Sequence, residues 1–218
     1  MRVVVFGASG GVGSRVVAGL VAAGADVVGV VRRPDAAEAV TAAGAQPVVL
    51  DILDADVRPV LEDADAVVWA LGARFATDGP DGAVRIDGEA AQRVIATALD
   101  VRVPRWVQVS SLLADRPEQG PPFLGPFLAA KGAADAALLA SGLDVTVLRP
   151  SGLTDEPGTG TVQAAEHLVP DDWGGDRSPM VSRDDVAAIA VACALDGLGS
   201  RRAFDIVGGT TPIHDALS

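Results

Sequence analysis

No tyrosine occurs anywhere in this chain of 218 residues, and lysine and cysteine occur once each, as Lys131 and Cys193. The first absence removes the phenol as a proton donor throughout the molecule. A single cysteine excludes a disulfide framework. Cys193 lies in the apolar run 187–195, which makes it a small buried core residue in a reducing compartment. Histidine occurs only at His167 and His214. They are far apart and lack metal-ligand spacing, so each reads as a surface or packing residue and no metal is expected. Positive charge is scarce: 29 acidic against 17 basic residues leave a formal net charge of −12. That balance argues against a nucleic-acid partner, which needs clustered cations. No basic amphipathic segment suggests a membrane surface, and no uncharged apolar run reaches the length of a span. The N-terminal apolar stretch is too short, and too soon broken by glycines, for a signal peptide. A cytoplasmic protein is expected.

What is present is apolar and orderly. Hydrophobic residues make up 49% of the chain, enough for a buried parallel sheet covered by helices. Strand-like runs at 2–6, 26–31, 46–50, 66–70, 105–109, 145–148 and 203–207 alternate with helical stretches at 12–23, 36–43, 85–100, 128–141 and 184–196, and a short one near 57–61. This alternation predicts an α/β fold: one Rossmann-type domain over 1–218, with a doubly wound parallel sheet and a small C-terminal substrate lobe formed by loops. Gly24, Gly44 and Gly142 mark helix ends. Two glycine-rich connections, 71–83 and 151–182, break the pattern. Both leave the carboxyl end of the sheet, where ligands bind in this architecture, and 151–182 reads as a variable substrate-side loop.

The segment Gly7-Ala8-Ser9-Gly10-Gly11-Val12-Gly13 follows the first strand and opens the first helix. In such a turn Gly7 permits the tight bend, Gly10 lets backbone approach a pyrophosphate, and Gly13 lets the helix pack close to the strand. The helix N-terminus offers N–H groups to the anion. Ser9, Gly11 and Val12 complete the loop. About 20 residues further on, an acidic residue selects NAD and an arginine accommodates the 2′-phosphate of NADP. Arg32 and Arg33 stand there, so NADP(H) is favoured over NAD(H), the other reading being a solvated basic strand end. Asp51, with Ile52, falls beside the adenine; its carboxylate either accepts from the exocyclic amine or caps a helix. Ala70, Leu71 and Gly72 after the fourth strand, and Pro150 after the sixth, complete the expected cofactor set.

These features together resemble the atypical short-chain dehydrogenase/reductases, specifically the small NAD(P)H-binding, NmrA-like branch. The likeness covers essentially the whole chain. It runs through GASGGVGSRVV at 7–17, VRRP at 31–34, LDILD at 50–54 and RWVQVSS at 105–111. It continues through LRPSGL at 148–153, SRDDVA at 182–187 and FDIVGG at 204–209. The resemblance implies a catalytic Tyr-x-x-x-Lys on the helix after the fifth strand and a serine at that strand's end. The matching string is Phe127-Leu128-Ala129-Ala130-Lys131, so the tyrosine is replaced by Phe127 while Lys131 keeps its place on the same helical face. Lys131 would hold the nicotinamide ribose. Ser110 or Ser111 either hydrogen-bonds the acceptor or the nicotinamide amide, or simply caps the turn.

Without the phenol, alcohol–ketone and sugar-nucleotide epimerase chemistry is disfavoured, because acid–base help is worth about 10²–10⁴-fold there. Hydride delivery to a conjugated small-molecule acceptor (flavin, quinone, bilin or enone) survives, since its proton can come from water. The small biliverdin-IXβ/flavin reductases are similar and lack the tyrosine–lysine pair. An NADPH-dependent oxidoreductase is therefore expected, as monomer or homodimer. The alternative is a non-catalytic NADP(H) redox sensor with a protein partner. Phe75, Phe123, Phe127 and Trp173 are candidates for an apolar acceptor pocket, Phe123 and Phe127 being equally an i,i+4 packing pair. Trp106 reads as core, and Asp87-Gly88 as a helix–sheet packing element.

Overall fold

The computed structural model describes residues 1–73, 75–169, 172 and 178–218. Its N-terminal half alternates β1 (Arg2–Phe6), α1 (Gly11–Ala22), β2 (Asp26–Val31), α2 (Ala37–Ala42) and β3 (Gln46–Val49) with α3 (Arg58–Leu61) and β4 (Ala66–Trp69). Next comes α4 (Phe75–Ala83), and a wide-turn π-helical segment, Val84–Ala90, that runs into α5 (Ala91–Asp100). β5 (Arg105–Val109), α6 (Gly125–Leu139) and β6 (Asp144–Pro150) follow, then β7 (Leu153–Thr154), β8 (Thr161–Ala165), β9 (Val181–Ser182), α7 (Arg183–Asp196), β10 (Arg202–Gly208), β11 (Thr211–Pro212) and α8 (Ile213–Ala216).

The main sheet has the order β11-β8-β10-β6-β5-β4-β1-β2-β3. From β10 to β3 every pairing is parallel, with Val3–Phe6 of β1 set against Val27–Val30 on one side and Ala66–Trp69 on the other. The chain thus winds outward from β1 in both directions, as the sequence pattern implies. The carboxyl ends of β1 and β4 part where the winding reverses, which opens a crevice. Two departures from the expected pattern lie in the glycine-rich connections. Residues 75–83 are helical because Gly79, at φ 62° and ψ −173°, interrupts the turn and Pro80 starts it again, a position where its missing N–H costs nothing. Thr161–Ala165 forms a strand antiparallel to β10, so the substrate-side lobe adds sheet as well as loops. Its Val162 is fully buried.

Alternation along β1 divides the core. Val3 and Val5 face a cluster with Val16, Leu20, Ile189 and Cys193 of α1 and α7, whereas Val4 and Phe6 face Val94, Ile95 and Leu138 of α5 and α6. On that second face Phe6, Trp69 and Trp106 form a row across β1, β4 and β5, with centroids 5.1 and 5.9 Å apart. Trp106 is core, its indole N–H donating to Gln108 Oε1 at 2.9 Å. This rigid floor fixes the strand ends that carry the site.

Candidate active site

A cleft of about 790 Å³ opens at the carboxyl ends of β1 to β6. At its floor the glycine loop is shaped by backbone contact. Gly7 sits at φ +78°, and a β-carbon there would come within 2.7 Å of the Ala70 carbonyl oxygen. Gly10 N–H closes the turn on the Gly7 oxygen at 2.8 Å. A β-carbon on Gly13 would sit 2.1 Å from that same oxygen. Any side chain at 13 would push α1 off the loop. Gly7, Ser9, Gly10, Gly11 and Val12 line the cleft, while Gly13 acts from behind by packing. The first helical bond of α1 runs from Ser14 N–H to Gly10 O, and no side chain caps the helix. The amides of Gly11, Val12 and Gly13, which make no backbone bond, therefore remain available to an anion.

One end of the cleft is formed by Arg32 and Arg33 after β2 and by Asp51 and Ile52 after β3. The two arginines differ. Arg33 Nε pairs with Asp35 at 3.0 Å, whereas Arg32 makes no ion pair among the described residues. Asp51 Oδ1 accepts the Leu53 N–H at 3.0 Å, so this carboxylate is engaged at least partly in its own turn. From the other side Arg93 of α5 donates to the carbonyls of Ile52 and Leu53, the latter at 2.8 Å. The wall below Asp51 is thereby fixed.

The other end gathers Ala70, Leu71 and Gly72 from just after β4, Ser110 and Ser111 from just after β5, Pro150 from the end of β6 and Lys131 from α6. Lys131 Nζ lies 2.8 Å from Asp87 Oδ1, and Asp87 Oδ2 accepts the Ala73 N–H at 3.0 Å. A β-carbon on Gly72 would fall 2.8 Å from Nζ and 3.1 Å from Oδ1, so Gly72 makes room for this pair. Asp87 therefore positions the lysine and the loop after β4. The packing role expected of Asp87-Gly88 does not hold: Asp87 is 2% exposed and ion-paired, and a β-carbon on Gly88 would meet nothing closer than 4.0 Å.

The two serines separate as well. Ser110, 6% exposed, donates to Asp135 Oδ2 at 2.9 Å. Asp135 is fully buried and also receives Arg149 Nε at 3.0 Å. Burial pushes its carboxyl above the ordinary aspartate range, against the opposing pull of Arg149, Ser110 and Lys131. Arg149 continues to Asp115 at 2.9 Å, and Arg116 bridges Asp115 to the buried Asp205. Ser110 is thus tied into a buried charge network. Ser111 bonds only weakly, to the Leu112 carbonyl at 3.4 Å, which leaves it the more available hydroxyl.

Of the four candidate pocket aromatics, none has a described side chain in the cleft. Phe127 is 6% exposed and absent from the described lining, and Phe123 is 62% exposed on the surface. The Phe75 side chain and Trp173 lie outside the described residues. His167, 67% exposed in its side chain, sits 3.2 Å from Asp115, and His214 is exposed on α8. Cys193 is fully buried, and burial pushes its thiol up to about 12. It is inert packing. Sequence reasoning missed Asp87, Asp135 and Arg183, which lines the cleft from α7. The partners of the first two are 44 and 25 positions away, so no local signal reveals them.

Residues 7–197 match the family described as NAD(P)H-binding. The chain is 34% identical to the uncharacterized sugar epimerase YhfK of Bacillus subtilis over 221 residues, covering 100% of this chain and 99% of the relative. It is 31% identical, with a TM-score of 0.90, to a Bacillus halodurans protein classed with the NAD-dependent epimerase/dehydratases, covering 100% and 98% of the two chains. An anaerobillin reductase of Escherichia coli O157:H7 superimposes with a TM-score of 0.78 at 26% identity, over 95% and 97%. No helix among the described residues is long and apolar enough to cross a membrane. With its glycine loop, open helix terminus and the arginines that follow its second strand, the chain belongs to the NAD(P)H-binding family, in its atypical short-chain dehydrogenase/reductase-like branch.

Proposed function

We propose that this protein is an NADP(H)-dependent oxidoreductase that reduces a conjugated small-molecule acceptor such as a flavin, quinone, bilin or enone. The observation that carries the reading is the cleft end itself. It holds an ion-paired lysine and an available serine, in a chain with no phenol to serve as acid. When bound, the reduced nicotinamide supplies the hydride. Lys131, held by Asp87, offers its remaining N–H donors to the ribose. Ser111 orients the carboxamide or the acceptor, and Ser110 is held back by Asp135. The acceptor gains a hydride at one end of its conjugated system and a proton from water at the other, so no strongly basic alkoxide needs a side-chain acid. Catalysis rests on proximity and orientation.

Arg32, lacking an ion pair among the described residues, supports a preference for the 2′-phosphate. The epimerase name of the Bacillus subtilis relative fits this chain less well, since that chemistry needs the missing phenol. The reductase name of the Escherichia coli neighbour fits better. The test is oxidation of NADPH and of NADH by the full chain against a panel of flavins, quinones, tetrapyrroles and enones. Turnover with at least one acceptor, faster with NADPH, is expected. Tight NADPH binding without turnover on any of them would overturn the reading in favour of a redox sensor, whose mark is unequal affinity for NADP⁺ and NADPH.

A further inference from the structure

We infer that Arg183, the first residue of α7, is a diphosphate clamp for the bound dinucleotide, held in reserve by Asp155. The inference rests on membership of the NAD(P)H-binding family and is independent of whether the protein turns over. Arg183 comes from the C-terminal lobe, yet its side chain lies on the glycine loop. A β-carbon on Gly11 would come within 2.8 Å of both its Cδ and its Nε. Its guanidinium reaches the cleft wall where the loop presents free amides to an anion. Gly11 therefore does more than shape a turn: its missing side chain is the space that Arg183 occupies.

The surrounding charges show why Arg183, rather than its neighbour Arg15, is the group that can change partner. Arg15 is committed on two sides, with Nε 2.5 Å from Asp184 and a terminal nitrogen donating to the Gly11 carbonyl at 2.8 Å. Its third contact, with Asp155, is long at 3.4 Å. Arg183 pairs with Asp155 at 3.0 Å, and that carboxylate is 74% exposed. A pair in which one partner is this solvated is weak and readily exchanged. A diphosphate at the glycine loop carries more charge than one carboxylate and accepts from the planar guanidinium in a bidentate way.

The geometry is also built. The loop that carries Asp155 is strapped to the first turn of α7. Gly158 N–H donates to Asp184 at 3.2 Å, and the amides of Thr159 and Gly160 donate to the buried Asp185 at 3.0 and 2.8 Å. Ser182 caps the same turn through the Asp184 N–H at 3.1 Å. Arg183 and its reserve partner thus approach the glycine loop as one unit.

Calorimetric titration of the full chain with NADPH and with adenosine 2′-monophosphate, which lacks the diphosphate, tests the assignment. Arg183→Met should weaken NADPH about 10- to 100-fold and leave adenosine 2′-monophosphate within about twofold, with Arg183→Lys recovering part of the loss. Asp155→Asn should tighten NADPH a few-fold by freeing the guanidinium. The inference is overturned if Arg183→Met binds NADPH as the parent does, or loses both ligands alike, or if Asp155→Asn weakens NADPH. Failure of the reductase assay with these binding results intact would count only against turnover.

Discussion

Lys131 Nζ and Asp87 Oδ1 stand 2.8 Å apart, joining the single lysine of the chain to a carboxylate that is 2% exposed. The pair spans the π-helical segment before α5 and the middle of α6, and Asp87 also takes the Ala73 amide. One carboxylate therefore sets both the lysine and the loop after β4. Either single substitution leaves a charge stranded at the cleft. Asp87→Asn and Lys131→Met are each expected to cost about 1–3 kcal/mol of unfolding free energy. The double variant should cost less than their sum, by roughly 0.5–2 kcal/mol. Urea unfolding of the four proteins measures this, and strict additivity would dissolve the pairing.

The arginines after β2 share one sequence motif but not one environment. Arg33 is drawn toward Asp35, while Arg32 makes no such pair among the described residues. A charge-assisted bond to a phosphate is worth about 1.5–3 kcal/mol. Arg32→Met should therefore weaken NADPH by about 10- to 100-fold with little change for NADH. Arg33→Met should lose only a few-fold. Equal losses for the two variants would mean that Arg33 leaves Asp35 to bind the ligand.

How much of this was legible in the sequence follows from the range of each interaction. Residues 2–17 state their own structure, because strand, glycine turn and helix are contiguous and the steric demand on Gly7 and Gly13 is local. That the central strands pair in parallel follows from alternation. The β8 strand was hidden, since Thr161–Ala165 is a strand only through its antiparallel pairing with β10, some 40 positions away. The helix at 75–83 was masked by Gly79-Pro80, residues that normally signal a turn. At the site, Lys131 was legible because it is unique. Its partner Asp87, the Asp135 that holds Ser110, and Arg183 on Gly11 are products of tertiary approach.

Asp184 links pH to stability. Its carboxyl is held below the ordinary aspartate value of 3.8 by the Arg15 guanidinium and then by the Gly158 N–H. A depressed folded value means the unfolded chain binds the proton more readily. The contribution is present above pH 3.8 and is lost as pH falls through the lowered value. Asp184→Asn should leave a shallower acid limb in a plot of Tm against pH below about 4, with Tm at neutral pH lowered slightly. An acid limb as steep as the parent's would remove Asp184 from the account.

Phe127, four positions before Lys131, stands where the resemblance implies a tyrosine, and the sequence alone suggests that Phe127→Tyr would restore a proton donor. The structure argues otherwise. Phe127 is 6% exposed in α6 and is absent from the described lining of the cleft, although Lys131, one turn later, does line it. A phenol hydroxyl at 127 would therefore be delivered into packed surroundings rather than to a reacting oxygen. Phe127→Tyr adds an oxygen to a side chain that is already 6% exposed, so it is expected to lower Tm and to gain no carbonyl reductase activity. Assay of the variant with NADPH and a set of ketones and aldehydes, beside its thermal unfolding, tests both halves. A new ketoreductase activity at unchanged Tm would show that the side chain turns into the cleft when the cofactor binds. The missing tyrosine would then be the one defect separating this site from the tyrosine-dependent members of its family.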